Sequence, residues 1–280
     1  MERADAQDWS VPKKMKRLLT AVLLLATVLL CQSAEEAPDL LAKAKLLRKD
    51  AIQKALVPRS FPAGFNRYPW KLEIVATVFW VGESATENNP VHNHMSSWDT
   101  KWSANFGGFD NPNPSARINF VPRSFVPLQN PFYIALPYND VTRGVTKAAS
   151  RKAIPWFLQA FDKPGRSVCK GRWVAIRHKG RIAYAQWEDC GPFRTDHWAY
   201  VFGNERPKPN LNQAAGIDVS PAVRDFLGMS GKDIVDWKFV EVSSVPPGPW
   251  RTHGENNTFV LQHKGADLLM EDRNNARPDF

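Results

Sequence analysis

Along most of this chain, apolar residues either alternate with polar ones or come in short runs closed by proline or glycine. Leu72 to Val81 is β-branched and aromatic and lies between Pro69 and Gly82, which predicts a strand. Phe132 to Leu136 is a short apolar strand closed by Pro137, and Asp233 to Val242 returns to strand. The clearest unit is a hairpin, in which Arg172–His178 and Arg181–Trp187 flank a turn at Lys179-Gly180. With those two residues as the turn, paired positions sum to 359. Strand side chains alternate, so Val174, Ile176, Ala183, Ala185 and Trp187 share an apolar face. Trp173, Arg177, Ile182, Tyr184, Gln186 and Glu188 share a mixed, wetter one. Continued one step, the alternation puts Asp189 at the end of the apolar face. Carried outward, the same register sets Cys169 opposite Cys190 and predicts a disulfide between them.

Helical spacing is rarer. Asp39 to Ile52 has apolar residues at helical intervals behind an Asp39 cap, and Ser220-Pro221 is a capped helix start ending at Gly228. Residues 83–130, 141–166 and 194–215 read as connections, the second with room for a helical turn. Residues 246–280 read as a polar surface tail.

The first residues read as an export signal. Lys13, Lys14, Lys16 and Arg17 precede the apolar run Leu18–Leu30, with small residues after it and a cleavage position after Ser33. A bilayer-crossing helix needs about 20 residues, so this run is too short to be a transmembrane span. Lipid anchoring at Cys31 is the weaker alternative, because Leu30 stands where a small residue is usual. The chain divides into a signal peptide (1–33), a helical extension and linker (34–69), a β domain (70–245) and the tail (246–280).

Composition sharpens this picture. The 280 residues are 43% hydrophobic and 23% charged, which excludes wholesale disorder. Eleven tryptophans and 22 prolines favour a loop-rich, mainly β protein over a helical bundle. Without residues 1–33 the net charge is +7. For an exported, periplasmic or extracellular protein, that charge points to an anionic envelope polymer and not to nucleic acid. Export also sets Cys169 and Cys190 in an oxidising compartment, in keeping with their pairing.

Asp189 is the sharpest candidate for chemistry. A carboxylate at the rim of an apolar face loses hydration, its pKa rises, and it becomes a general acid/base for glycosidic-bond cleavage near neutral pH. The segment Glu188-Asp189-Cys190-Gly191-Pro192-Phe193, followed by Gly216-Ile217-Asp218-Val219-Ser220-Pro221-Ala222 and a helix ending in Leu227-Gly228, resembles the rare lipoprotein A family of septal lytic transglycosylases. That family has Asn-Asp-Arg-Gly-Pro-Phe and Ile-Asp-Leu-Ser at these places. The resemblance implies a six-stranded double-psi β-barrel, the fold shared with expansins, barwin-like proteins and family 45 endoglucanases. It implies cleavage of peptidoglycan strands with Asp189 as acid/base, and structural roles for Asp218 and Ser220. The upstream acidic motif of the family has a partial counterpart in Gly107-Gly108-Phe109-Asp110, which makes Asp110 a second catalytic candidate.

A lytic transglycosylase uses a hydroxyl of the substrate sugar as nucleophile and needs one acid/base, whereas a hydrolase needs a partner carboxylate. Asp110, Asp99 and Asp140 are the partners this sequence offers. Trp98, Trp102, Phe109, Trp198 and Tyr200 lie in loops and are candidate platforms for sugar rings. His92 and His94 lack a third ligand at a recognisable spacing, so neither a metal nor a cofactor is expected. Two other readings stay open: a wall-binding module that grips polysaccharide without cutting it, as expansins do, and a two-carboxylate hydrolase.

Overall fold

The computed structural model describes residues 68–87, 89 and 91–265. The expected export signal and the expected helix over Asp39–Ile52 lie outside the described residues. Six strands close a barrel: β1 (Lys71–Val78), β2 (Tyr133–Leu136), β3 (Trp173–His178), β4 (Arg181–Cys190), β5 (Ile217–Val219) and β6 (Asp233–Val240). Around the barrel the order is β1-β6-β3-β4-β2-β5. Two neighbouring pairs, β1 with β5 and β4 with β2, run parallel, and the other four are antiparallel. Short helices α1 (Trp102–Phe106), α2 (Ser150–Ala153), α3 (Phe157–Ala160), α4 (Trp198–Val201) and α5 (Pro221–Leu227) lie in the connections. No helix among the described residues is long and apolar enough to cross a membrane.

The hairpin register is the one read from the turn, from Trp173 opposite Gln186 to His178 opposite Arg181. Val174, Ile176, Ala183, Ala185 and Trp187 point into the barrel, where they meet Ile134, Leu136, Ile217, Val219 and Trp237 in one buried core. Alternation is what makes this work: every second side chain on each strand enters the same dry interior. α5 starts as expected. Ser220 Oγ accepts from Val223 N, Pro221 occupies the first helical position, and Gly228 closes the helix with φ of 68°.

Three expectations fail at the ends of the hairpin. First, β4 carries a bulge at Glu188. Its register against β2 passes from Ile134↔Trp187 directly to Ala135↔Asp189, skipping one residue. Asp189 therefore shares the outer face of Ala135 and not the inner face of Trp187. Second, Cys169 and Cys190 are free thiols. Cys169 lies in a turn, with Arg172 N donating to its carbonyl at 3.1 Å, so the ladder stops short of it. The bulge meanwhile moves Cys190 into register with Leu136, where its thiol bonds the Tyr138 carbonyl at 3.1 Å.

Third, the wetter face of the hairpin is covered. Residues 246–265 fold back over it and are no tail. Trp250 and Phe259 join the main core, and Gln186 Nε2 donates to Asn256 O at 3.1 Å. Asn257 Nδ2 satisfies the carbonyls of Trp250 and His253. A buried Asn that bonds two carbonyls is why so polar a stretch packs.

Outside the barrel, the long connection after β1 builds a second apolar cluster from Phe79, Val81, Trp102, Phe106, Tyr133 and Ala135. Asp110 anchors it.

Candidate active site

A groove of about 740 Å³ opens where the ends of β1, β2, β4 and β5 meet the connections after β1 and β4. Its charged lining includes Glu83, Asp189, Asp218 and Lys232. The barrel register sets the two aspartates. Ala135 on β2 pairs with Asp189 on one side and with Asp218 on the other. Neighbouring strands lie about 4.8 Å apart, so the two backbones are separated by about 10 Å across one small side chain. Thr77 on β1 continues the row and donates its hydroxyl to Asp218 Oδ1.

Each carboxyl is held from one side. Asp189 Oδ1 accepts from Ser97 N at 2.7 Å, and Ser97 belongs to a loop pinched by the Ser96–Asp99 bridge. The side chain is 7% exposed, and loss of hydration raises its pKa to about 6 against the pull of its Ser97 and Cys190 hydrogen bonds. Asp218 rises further, to about 7, first through burial and then through the negative charges of Glu83 and Asp189, with the Thr77 hydroxyl opposing. Gly191 makes the close approach possible. A Cβ built there would stand 3.2 Å from Asp218 Oδ2 and 3.7 Å from Ala135 Cβ.

Glu83 is a groove carboxylate that no motif in the chain marks out. Backbone bonds from Gly82 N to Asn93 O and from Asn93 N to Glu83 O fold its loop back to the groove. Asn93 Nδ2 donates to Glu83 Oε2 at 2.7 Å, and burial raises the Glu83 pKa. Only long-range loop packing brings Glu83 here, and no local spacing announces it.

The other candidates lie elsewhere. Asp110 is fully buried and pairs with Arg117, while Tyr133 OH donates to its second oxygen at 2.9 Å. Arg117 also reaches Asp225 on α5 at 3.1 Å, so this carboxylate ties a loop to a helix, away from the groove. Asp140 accepts from Ser167 Oγ and Val168 N, both at 2.7 Å, and holds a turn. Asp99 is bound by Asn105, Lys101 N and Gln129.

None of the five predicted platform aromatics lines the groove. Trp102 and Tyr200 are buried, the latter accepting from the Trp237 indole at 2.8 Å. Trp98 packs edge-on against Trp187 and donates to Asn139. Phe109 lies against His94 and over Gly82, and Trp198 stands exposed on α4. Phe79 and Phe193 line the groove instead. His92 and His94 form an edge-to-face pair, with His92 at the groove.

No protein-family model matches this chain, and no curated protein matches it in sequence. The likeness to rare lipoprotein A therefore rests on the two motifs that carry Asp189 and Asp218.

Proposed function

We propose that this protein cleaves glycosidic bonds in an extended glycan of the cell envelope, peptidoglycan or a related polysaccharide, with Asp189 and Asp218 as its titrating pair. The observation that carries the reading is the placement of both carboxyls beside Ala135 in an open groove, with their pKa values raised to different heights. Near neutral pH the higher one, Asp218, keeps its proton and donates it to the leaving glycosidic oxygen as the bond to the anomeric carbon breaks. Asp189, already ionised, takes the proton of the incoming hydroxyl.

That hydroxyl belongs to the sugar itself in a lytic transglycosylase and to water in a hydrolase. A transglycosylase needs no water between the carboxyls, whereas an inverting hydrolase needs the two groups about 6.5–9.5 Å apart. The closed six-stranded barrel with two parallel pairs supports its assignment as a double-psi barrel. The basic-then-apolar start over residues 1–33 supports export to the compartment where envelope glycan lies.

One contact favours a second reading, a module that grips glycan without cutting it. Ser97 N holds Asp189 Oδ1, one of the two oxygens a base could use. Digestion of purified walls separates the two. Soluble fragments ending in anhydro sugars mark a transglycosylase, fragments with reducing ends mark a hydrolase, and wall binding without release marks the gripping module.

A further inference from the structure

Phe193 lies just past the motif that carries Asp189, and its backbone is unusual. Its φ is +58°, and Arg194 N donates to Pro192 O at 2.6 Å, which closes a three-residue turn around it. A bulky L-residue at the centre of such a turn is rare and strained, because its Cβ crowds its own backbone. Glycine would relieve that crowding at once. The ring gains little burial in return, since Phe193 is 43% exposed in a protein whose large rings interlock edge to face. What the strained turn does achieve is position. It holds the ring in the groove wall, four residues from Asp189 and two from the glycine that abuts Asp218. Two more exposed apolar side chains, Val91 at 65% and Met95 at 48%, line the same groove.

We infer that Phe193 is the sugar-binding platform of the groove, its ring stacking on the apolar face of a pyranose next to the carboxyl pair. The inference deepens the proposed glycan reading and rests on it. A β-linked pyranose of gluco configuration carries its ring substituents equatorially and leaves axial C–H groups on each face. An aromatic ring covers such a face well. An axial hydroxyl, as in galacto sugars, interrupts one face only, so a gluco-configured chain offers the ring two apolar faces and a galacto chain one.

Calorimetric binding of the β-1,4-linked N-acetylglucosamine hexamer by wild type, Phe193→Gly and Phe193→Trp tests this. The inference predicts about tenfold weaker binding for Phe193→Gly and binding within about threefold of wild type for Phe193→Trp. The melting temperature of Phe193→Gly stays within about 2 °C of wild type or rises, because the strain goes with the side chain. Wild-type affinity in Phe193→Gly, a loss that Phe193→Trp shares, or no binding by the wild type overturns it. Cleavage of walls is scored separately. Binding that depends on Phe193 without any cleavage sinks the catalytic reading and leaves the platform standing. Cleavage with binding indifferent to Phe193 does the reverse.

Discussion

Asp189 and Asp218 are the register partners of one residue, Ala135, which stands between them on the middle strand of three. Neither the motif around Asp189 nor the motif around Asp218 contains that relation. It arises because β4 and β5 both pair with β2, one in parallel and one antiparallel, and because the bulge at Glu188 turns Asp189 to the outer face. Had the strand kept its alternation, Asp189 would point into the sealed core beside Trp187.

Gly191 gives a first test of this geometry. Its φ lies outside the left-handed region, so alanine suits the backbone, but the new Cβ meets Asp218 Oδ2 at 3.2 Å. Gly191→Ala should displace the carboxyl by a few tenths of an ångström and cost about 1 kcal/mol of stability. Glycan release should fall at least tenfold, since small misplacements of a reacting group are expensive. Urea unfolding beside a release assay checks both parts. Unchanged release would separate Asp218 from the chemistry.

Glu188 makes the pH dependence of stability legible. It is 2% exposed, Lys170 Nζ stands 4.0 Å from its Oε2, and burial raises its pKa to about 7 against the pull of Lys170 and Asn256. An unfolded glutamate titrates near 4.3. The folded state therefore holds this proton more tightly, and stability falls as pH climbs from about 4.3 to about 7. Glu188→Gln removes the charge while keeping the shape. It should melt about 3 °C above wild type at pH 8 and match it near pH 4.5. Thermal melts across that range decide it, and a lower melting temperature at pH 8 would contradict the argument.

Asp110 should behave as a strut. Asp110→Ala leaves Arg117 buried with Asp225 as its remaining carboxylate partner, a loss of about 3–5 kcal/mol. Below its melting transition the variant should still release glycan at near wild-type rate, because the pair lies away from the groove. Loss of release in a fully folded sample would return Asp110 to the site.

Much of this architecture could be read from the chain. The Lys179-Gly180 turn set the hairpin register, alternation then named the barrel interior, and Ser220-Pro221 marked the start of α5. Asp189 stood out through its motif, whereas the motif around Asp218 pointed to a structural role, and only the pairing of both residues with Ala135 sets Asp218 beside the groove. What stayed hidden was whatever depends on contact between distant segments. A bulge is invisible to period-two reasoning until the neighbouring strand is known, and it undid both the face of Asp189 and the cysteine pairing. Glu83 reaches the groove through loop-to-loop backbone bonds that no local pattern encodes. Loop tryptophans looked available for sugar because loops are usually wet, but here the connections build a core of their own around Trp102 and Phe106. The C-terminal segment looked polar because its burial depends on a few asparagines that satisfy backbone carbonyls.

The pH profile of glycan release tests the central claim most directly. With Asp189 as base near 6 and Asp218 as acid near 7, wild-type kcat should peak between those values and fall on either side. Asp189→Asn should abolish the acidic limb and Asp218→Asn the basic one, each with release reduced at least a hundredfold. A profile flat from pH 5 to 8, or either variant releasing glycan at the wild-type rate, would contradict the account.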